Sequence, residues 1–118
     1  MNEDKELLTL AAKAAGIRLE WDGDPKYWTP MYYEGKTYHT WNPLTDDGDA
    51  LRLAVKLRIE ISFPGYIKPD RPVVHAGKYW HRNESCWYPF EEFRDEDPYA
   101  ATRRAIVRAA SEIGRGME

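Results

Sequence analysis

Ten residues constrain this chain more than any others: Trp41-Asn42-Pro43-Leu44-Thr45-Asp46-Asp47-Gly48-Asp49-Ala50. An extended, aromatic-rich segment runs into them and an apolar-periodic segment runs out, so the backbone must pass from strand to helix here. Pro43 removes a backbone donor and stiffens the approach. Three carboxylates, Asp46, Asp47 and Asp49, stand where the first helical turn leaves N–H groups open. The arrangement predicts that Asp46 or Asp47 caps the helix and that Trp41 is buried against the last helix. A chain organised around such a junction mixes helix and sheet.

The segments on either side follow from periodicity. A first helix is expected from about Glu3 to Ala15, with Leu7, Leu8, Ala11 and Ala14 on one face, Glu6, Thr9 and Lys13 on the other, and Gly16 as the stop. Ile17 to Trp21 alternates and predicts a strand, broken at Asp22-Gly23-Asp24-Pro25. Met31-Tyr32-Tyr33 and Thr37-Tyr38-His39 predict a hairpin turned at Glu34-Gly35-Lys36. Pro25 and Pro30 leave open the alternative that the whole Asp24–His39 stretch is an ordered loop. The second helix is expected from Asp47 to Leu57. Its broad apolar arc, Ala50, Leu51, Leu53, Ala54, Val55 and Leu57, implies burial on most sides.

Ile59, Ile61 and Phe63 alternate as a strand. Val73 to Ala76 and Tyr79 to Arg82 read as a hairpin about Gly77-Lys78, and Cys86-Trp87-Tyr88 as a short strand. Glu91 to Asp97 reads as an acidic linker. The last helix starts at Asp97 as N-cap with Pro98 behind it. Tyr99, Thr102, Ile106, Ala109 and Ile113 repeat at helical spacing, and Gly114 is the expected end.

The chain of 118 residues is read as a single domain, 1–118, with enough apolar material for one core. Five Trp, eight Tyr and three Phe are the compositional excess, serving either the core or a binding surface. A net charge of −3 argues against a general affinity for DNA or RNA, which needs a basic surface. Cys86 is the only cysteine, which excludes an intramolecular disulfide and fits a reducing compartment. The charged N-terminus has no signal-peptide core, and no apolar run reaches membrane-spanning length. The expectation is a cytoplasmic protein with no membrane association.

No catalytic constellation is legible, and the expectation is not an enzyme. The Asp46–Asp49 cluster could bind a divalent cation, but helix capping accounts for the same residues without a ligand. His39, His75, His81 and Cys86 lack zinc-site spacing, and no metal or cofactor is expected. His75 and His81 would instead pair with rings or carbonyls on neighbouring strands. Cys86 reads as a small hydrophobe, and no phosphate loop or nucleophile elbow is present. On the last helix, Arg104, Arg108 and Arg115 form a stripe expected to face solvent. Arg103, at the margin of the apolar face, is expected to snorkel or pair with a buried carboxylate, Asp46 or Asp49. The outer arginines are a solvated face or an anion- or acidic-partner-binding surface.

Two motifs carry a resemblance: Trp41-Asn42-Pro43-Leu44-Thr45-Asp46, and Thr102-Arg103-Arg104-Ala105-Ile106-Val107-Arg108-Ala109-Ala110. With the helix–strand order, they resemble the small bacteriophage proteins grouped as the phage ABA-sandwich domain, and more loosely the Nin-region proteins of lambdoid phages. In that pattern an aromatic-x-Pro-x-Thr-Asp turn opens a central helix, and an Ala- and Arg-rich helix closes the chain. Leu44 stands where the pattern has Ser, and Val107 where Cys is frequent. The resemblance implies a phage or prophage origin and an α/β/α layering, and it implies no catalytic residues.

The expected fold class is therefore α+β: a three-layer α/β/α sandwich with a mostly antiparallel sheet of four or five strands. The expected function is a non-enzymatic phage accessory protein that binds a host component, for instance in counter-defence, with self-association as a further option. The alternative is a small-ligand binder such as a nucleotide-signal sponge. In it, Trp28, Trp41 or Tyr99 would stack a base while Arg103 or Arg104 grips phosphate. The candidate binding residues are Trp41, Asp46, Tyr99, Arg103, Arg104 and Arg108.

Overall fold

A computed structural model describes residues 2–22, 29–63, 73–77, 90–93 and 97–117. Helix α1 (Asn2–Ala15) carries Glu3 and Asp4 in its first turn and Lys13 in its last, matching the helix dipole at both ends. Leu8, Ala11, Ala12 and Ala15 are its buried stripe, with Leu7 and Ala14 only half-buried at the margin. Gly16 takes φ +72°, and the amides of Gly16 and Ile17 bond back to Lys13 and Ala12. These are the two bonds of a Schellman stop, which needs a residue that tolerates positive φ.

Strands β1 (Glu20–Asp22), β2 (Thr29–Glu34) and β3 (Thr37–Thr40) form an antiparallel sheet in that order. The β2–β3 hairpin turns through Gly35-Lys36, with Gly35 at φ +66°. Pro30 sits in the central strand without breaking it. The β2–β3 register pairs Met31 with Thr40, so Pro30 falls one step beyond the end of β3. There it only has to accept, and its carbonyl takes the Trp41 N–H at 3.0 Å. The loop alternative for this stretch is set aside; Asp24, Pro25 and Trp28 lie outside the described residues.

Helix α2 (Asp47–Leu57) has the expected bounds, but it is not enclosed. Asp49, Ala50, Leu53, Ala54 and Leu57 are buried, whereas Leu51 and Val55 are 60 % and 68 % exposed. A wide apolar arc records where apolar residues lie, not how many neighbours cover them, and here one side stays more than half exposed. The helix ends in a second Schellman stop, with Arg58 at φ 57° and the Ile59 amide bonded to Ala54.

Strands β4 (Glu60–Ser62), β5 (Val73–Gly77) and β6 (Phe90–Phe93) make a second antiparallel sheet with β5 in the middle. The segment expected as an acidic linker therefore begins as a strand, Phe90 to Phe93, registered against Ala76 to Val73. The segment reads Phe-Glu-Glu-Phe, which does not alternate, and its acidic residues masked the strand. Lys78 to Pro89, including the second arm of the expected hairpin and the Cys86 strand, lie outside the described residues.

Helix α3 (Pro98–Arg115) is the hub, packing on α1, α2, β5 and β6. Asp97 caps it by accepting from Tyr99 and Ala100, each at 3.0 Å. Its buried face is mostly small: Ala101, Ala105, Ala109, Ala110, Ser111 and Gly114 beside Ile106, Val107 and Ile113. Gly114 does not end the helix, which runs on to Arg115. A Cβ at Gly114 would lie 1.9 Å from the Leu10 carbonyl oxygen, so the glycine is where the α1 and α3 backbones touch.

The protein is α+β with three helices and small antiparallel sheets. Among the described residues the strands form two sheets of three rather than one of four or five, with α2 between them in the chain. No helix among the described residues is long and apolar enough to cross a membrane.

Candidate binding surface

The strand-to-helix turn is closed by its own side chains. The Asn42 carbonyl accepts from Thr45 and Asp46, and its Oδ1 accepts from the Leu44 amide at 3.1 Å. Asp46 is the N-cap of α2, accepting from the Asp49 amide at 2.8 Å. Asp49, expected as one possible mate of Arg103, is instead a buried brace of the turn. One oxygen accepts from the Asn42 amide at 3.0 Å and the other from Arg52 Nη2 at 2.7 Å. The hydrogen bond to Asp49 raises the Arg52 pKa above the usual arginine value; partial desolvation opposes this, and the charges of Asp49 and Asp46 add to the rise. Pro30, Thr40, Asn42, Thr45, Asp46, Asp49 and Arg52 line a polar cleft of about 510 Å³ beside the turn. Among the described residues, no cluster of three His, Cys, Asp or Glu side chains could hold a metal ion.

Trp41 is 4 % exposed and belongs to the same core cluster as Ala101, Ala105 and Ile106 of α3. It is thus a structural anchor and offers no stacking surface. Arg103 does clamp the turn, with a different mate from those expected. Its Nε donates to the Leu44 carbonyl at 2.8 Å and its Nη1 to Asp47 at 2.6 Å, and the Asp47 side chain is 71 % exposed. Asp46 and Asp49 are turned toward the cap and Arg52, which leaves Asp47 as the carboxylate facing α3.

The arginine stripe is also placed differently from the expectation. Arg104 pairs with Asp4 and Glu3 of α1 at 3.1 and 3.4 Å, and Arg115 pairs with Glu6 and Glu112. Arg108 is half-buried. Arg104 and Arg115 thus join α3 to α1, Arg115 while its side chain is still 52 % exposed. The acidic first turn of α1 was the available signal for that pairing. Of the histidines, His39 stacks on Tyr32 with ring centroids 5.3 Å apart, and His75 is half-buried in β5. His81 and Cys86 lie outside the described residues.

Among the described residues, an exposed apolar surface lies between α2, α3 and the end of β4. Ala50, Leu51, Ile61, Phe63, Pro98, Tyr99, Thr102 and Ile106 line an apolar groove of about 370 Å³, with the Asp47–Arg103 pair also on its wall. Tyr99 is 70 % and Phe63 53 % exposed. Of the six candidate residues, the groove brings together Tyr99 and Arg103. Asp46 borders the separate polar cleft, Trp41 is in the core, and Arg104 turns to α1. Leu51 and Phe63 were missed as surface residues because alternating and helical apolar patterns both point to a core.

No family model matches the chain, and neither a curated protein nor a solved structure does so significantly.

Proposed function

We propose that the chain is a non-enzymatic accessory protein of a bacteriophage or prophage that binds a host component in the host cytoplasm, acting for example against a defence system. The observation that carries this reading is the exposed groove of Leu51, Phe63 and Tyr99, in which large apolar side chains from α2, α3 and the end of β4 stand at the surface. Exposed aromatics around an apolar hollow are the residue types that anchor protein interfaces. The phage assignment draws on the resemblance of the Trp41–Asp46 turn and the Thr102–Ala110 helix. The finer α/β/α layering belongs to the same proposal and draws on that resemblance.

The test is affinity capture from host lysate with the tagged chain and its Tyr99→Ala variant. A host protein retained by the wild type and lost with Tyr99→Ala supports the reading. Retention of the same proteins by both, or of none, overturns it. The nucleotide-binding alternative is favoured by one observation, the placement of Arg103 beside Tyr99 in the groove. A thermal-shift panel of linear and cyclic nucleotides checks it, since a ligand at about a hundred times its Kd adds roughly 2.7 kcal/mol. An unshifted panel rules this alternative out.

A further inference from the structure

We propose that the outward face of α2 pairs with the same face of a second copy of this chain, the two helices running antiparallel about a twofold axis. Leu51 and Val55 are four residues apart on one stripe, and both are more than half exposed, while the other large apolar residues of the helix are buried. The stripe begins one turn earlier at the exposed Asp47, and past its last residue the exposed Arg58 follows in the left-handed cap, just outside the helix. It therefore runs acid, leucine, valine, base.

Reversing a second copy against it sets Leu51 against Val55 of the second copy and Asp47 against Arg58 of the second copy, at both ends at once. A parallel pairing would set like charge on like. The self-complementary order selects one partner, this same surface, and one direction. Antiparallel helix dipoles favour the same direction. Asp47 can serve Arg103 and a second cation together, because a carboxylate accepts several hydrogen bonds and this one is 71 % exposed.

Size sets the strength. An eleven-residue helix is about 16 Å long at 1.5 Å per residue. Phe63 and Tyr99 widen the patch beside Leu51, but the contact falls at the small end of specific interfaces. The dimer is accordingly a micromolar one, in exchange with monomer.

Sedimentation equilibrium on the full chain tests this. The mass should climb from 13.8 kDa toward twice that value as concentration rises through the micromolar range. Val55→Asp should remain at the monomer mass with an unchanged melting curve, because that side chain is already solvent-facing. Arg58→Asn, which keeps a residue tolerated at positive φ, should weaken association several-fold and flatten its salt dependence. In a Cys86→Ser background, Leu51→Cys chains mixed with Val55→Cys chains should form the crossed disulfide in preference to either like pair. A wild type that stays monomeric, a Val55→Asp variant that still dimerises, or preferred like-with-like cross-links would each overturn the proposal. Val55 does not line the groove, so loss of the dimer with Val55→Asp is separate from loss of a host partner with Tyr99→Ala.

Discussion

Single residues divide sharply here by what would be left behind if they were removed. Trp41 is enclosed, so Trp41→Ala opens a large cavity and should cost about 3–5 kcal/mol. Asp46 offers one cap bond at the surface, and Asp46→Ala should cost about 1 kcal/mol. Asp49 falls between them: Asp49→Ala strands the Asn42 amide and removes the mate of Arg52, worth about 1–3 kcal/mol. Urea denaturation of the three variants should return that order, and a nearly neutral Trp41→Ala would contradict the burial of the ring. Arg58 carries the opposite sign. A non-glycine residue at φ 57° is held at a cost of about 1–2 kcal/mol, so Arg58→Gly should raise the urea midpoint of the monomer. A lowered midpoint would mean that the arginine side chain contributes more than its backbone strain.

At the scale of elements, the α1–α3 contact sets the stability of the helical layer. Gly-to-Ala inside a helix ordinarily helps by close to ~1 kcal/mol. At Gly114 the added Cβ meets the Leu10 carbonyl, which belongs to backbone and cannot swing away. Gly114→Ala should therefore destabilise by about 1–3 kcal/mol or more through separation of the two helices, seen as a lowered Tm; a Tm at or above that of the wild type would refute the close approach. The flanking pairs of Arg104 with Glu3 and Asp4 are partly exposed, and such pairs contribute about 0–1 kcal/mol. Arg104→Met should accordingly cost less than Gly114→Ala. Small residues bring these helices together, and the ion pairs orient them. The raised Arg52 pKa adds no pH dependence in the neutral range: a folded value above the unfolded one gives stability that is fully present at lower pH and lost only as pH climbs through the arginine range.

For the whole molecule, the buried cluster and the exposed patch meet along α2, which has one side in the core and the other in solvent. The exposed side adjoins the groove, so both proposed interactions, with a host component and with a second copy, use surface that folding does not need. Tyr99→Ala and Val55→Asp should each leave the melting temperature within about 0.5 kcal/mol equivalent of the wild type, as surface changes do. A large loss of stability in either would place those side chains in the core and remove the surface on which both proposals stand.

Local signals were legible because their causes are local. Asp46, Asp97-Pro98, Gly16 and Gly35 act on backbone groups within a few residues of themselves, so the bounds of α2, the start of α3, the stop of α1 and the β2–β3 turn follow from short stretches of chain. The α+β class follows from the periods alone. What the periods could not convey was which neighbour covers a face. Leu51 and Val55 look like core until the assembled structure leaves both more than half exposed. Phe90 to Phe93 looks like linker until Ala76 to Val73 lies alongside. Gly114 looks like a stop until Leu10 arrives from the far end of the chain. The mate of Arg103, 56 residues away, and those of Arg104, 100 and 101 residues away, depend on how whole helices are set against each other. That setting is decided by packing among elements, a property of the assembled chain that no window of sequence contains.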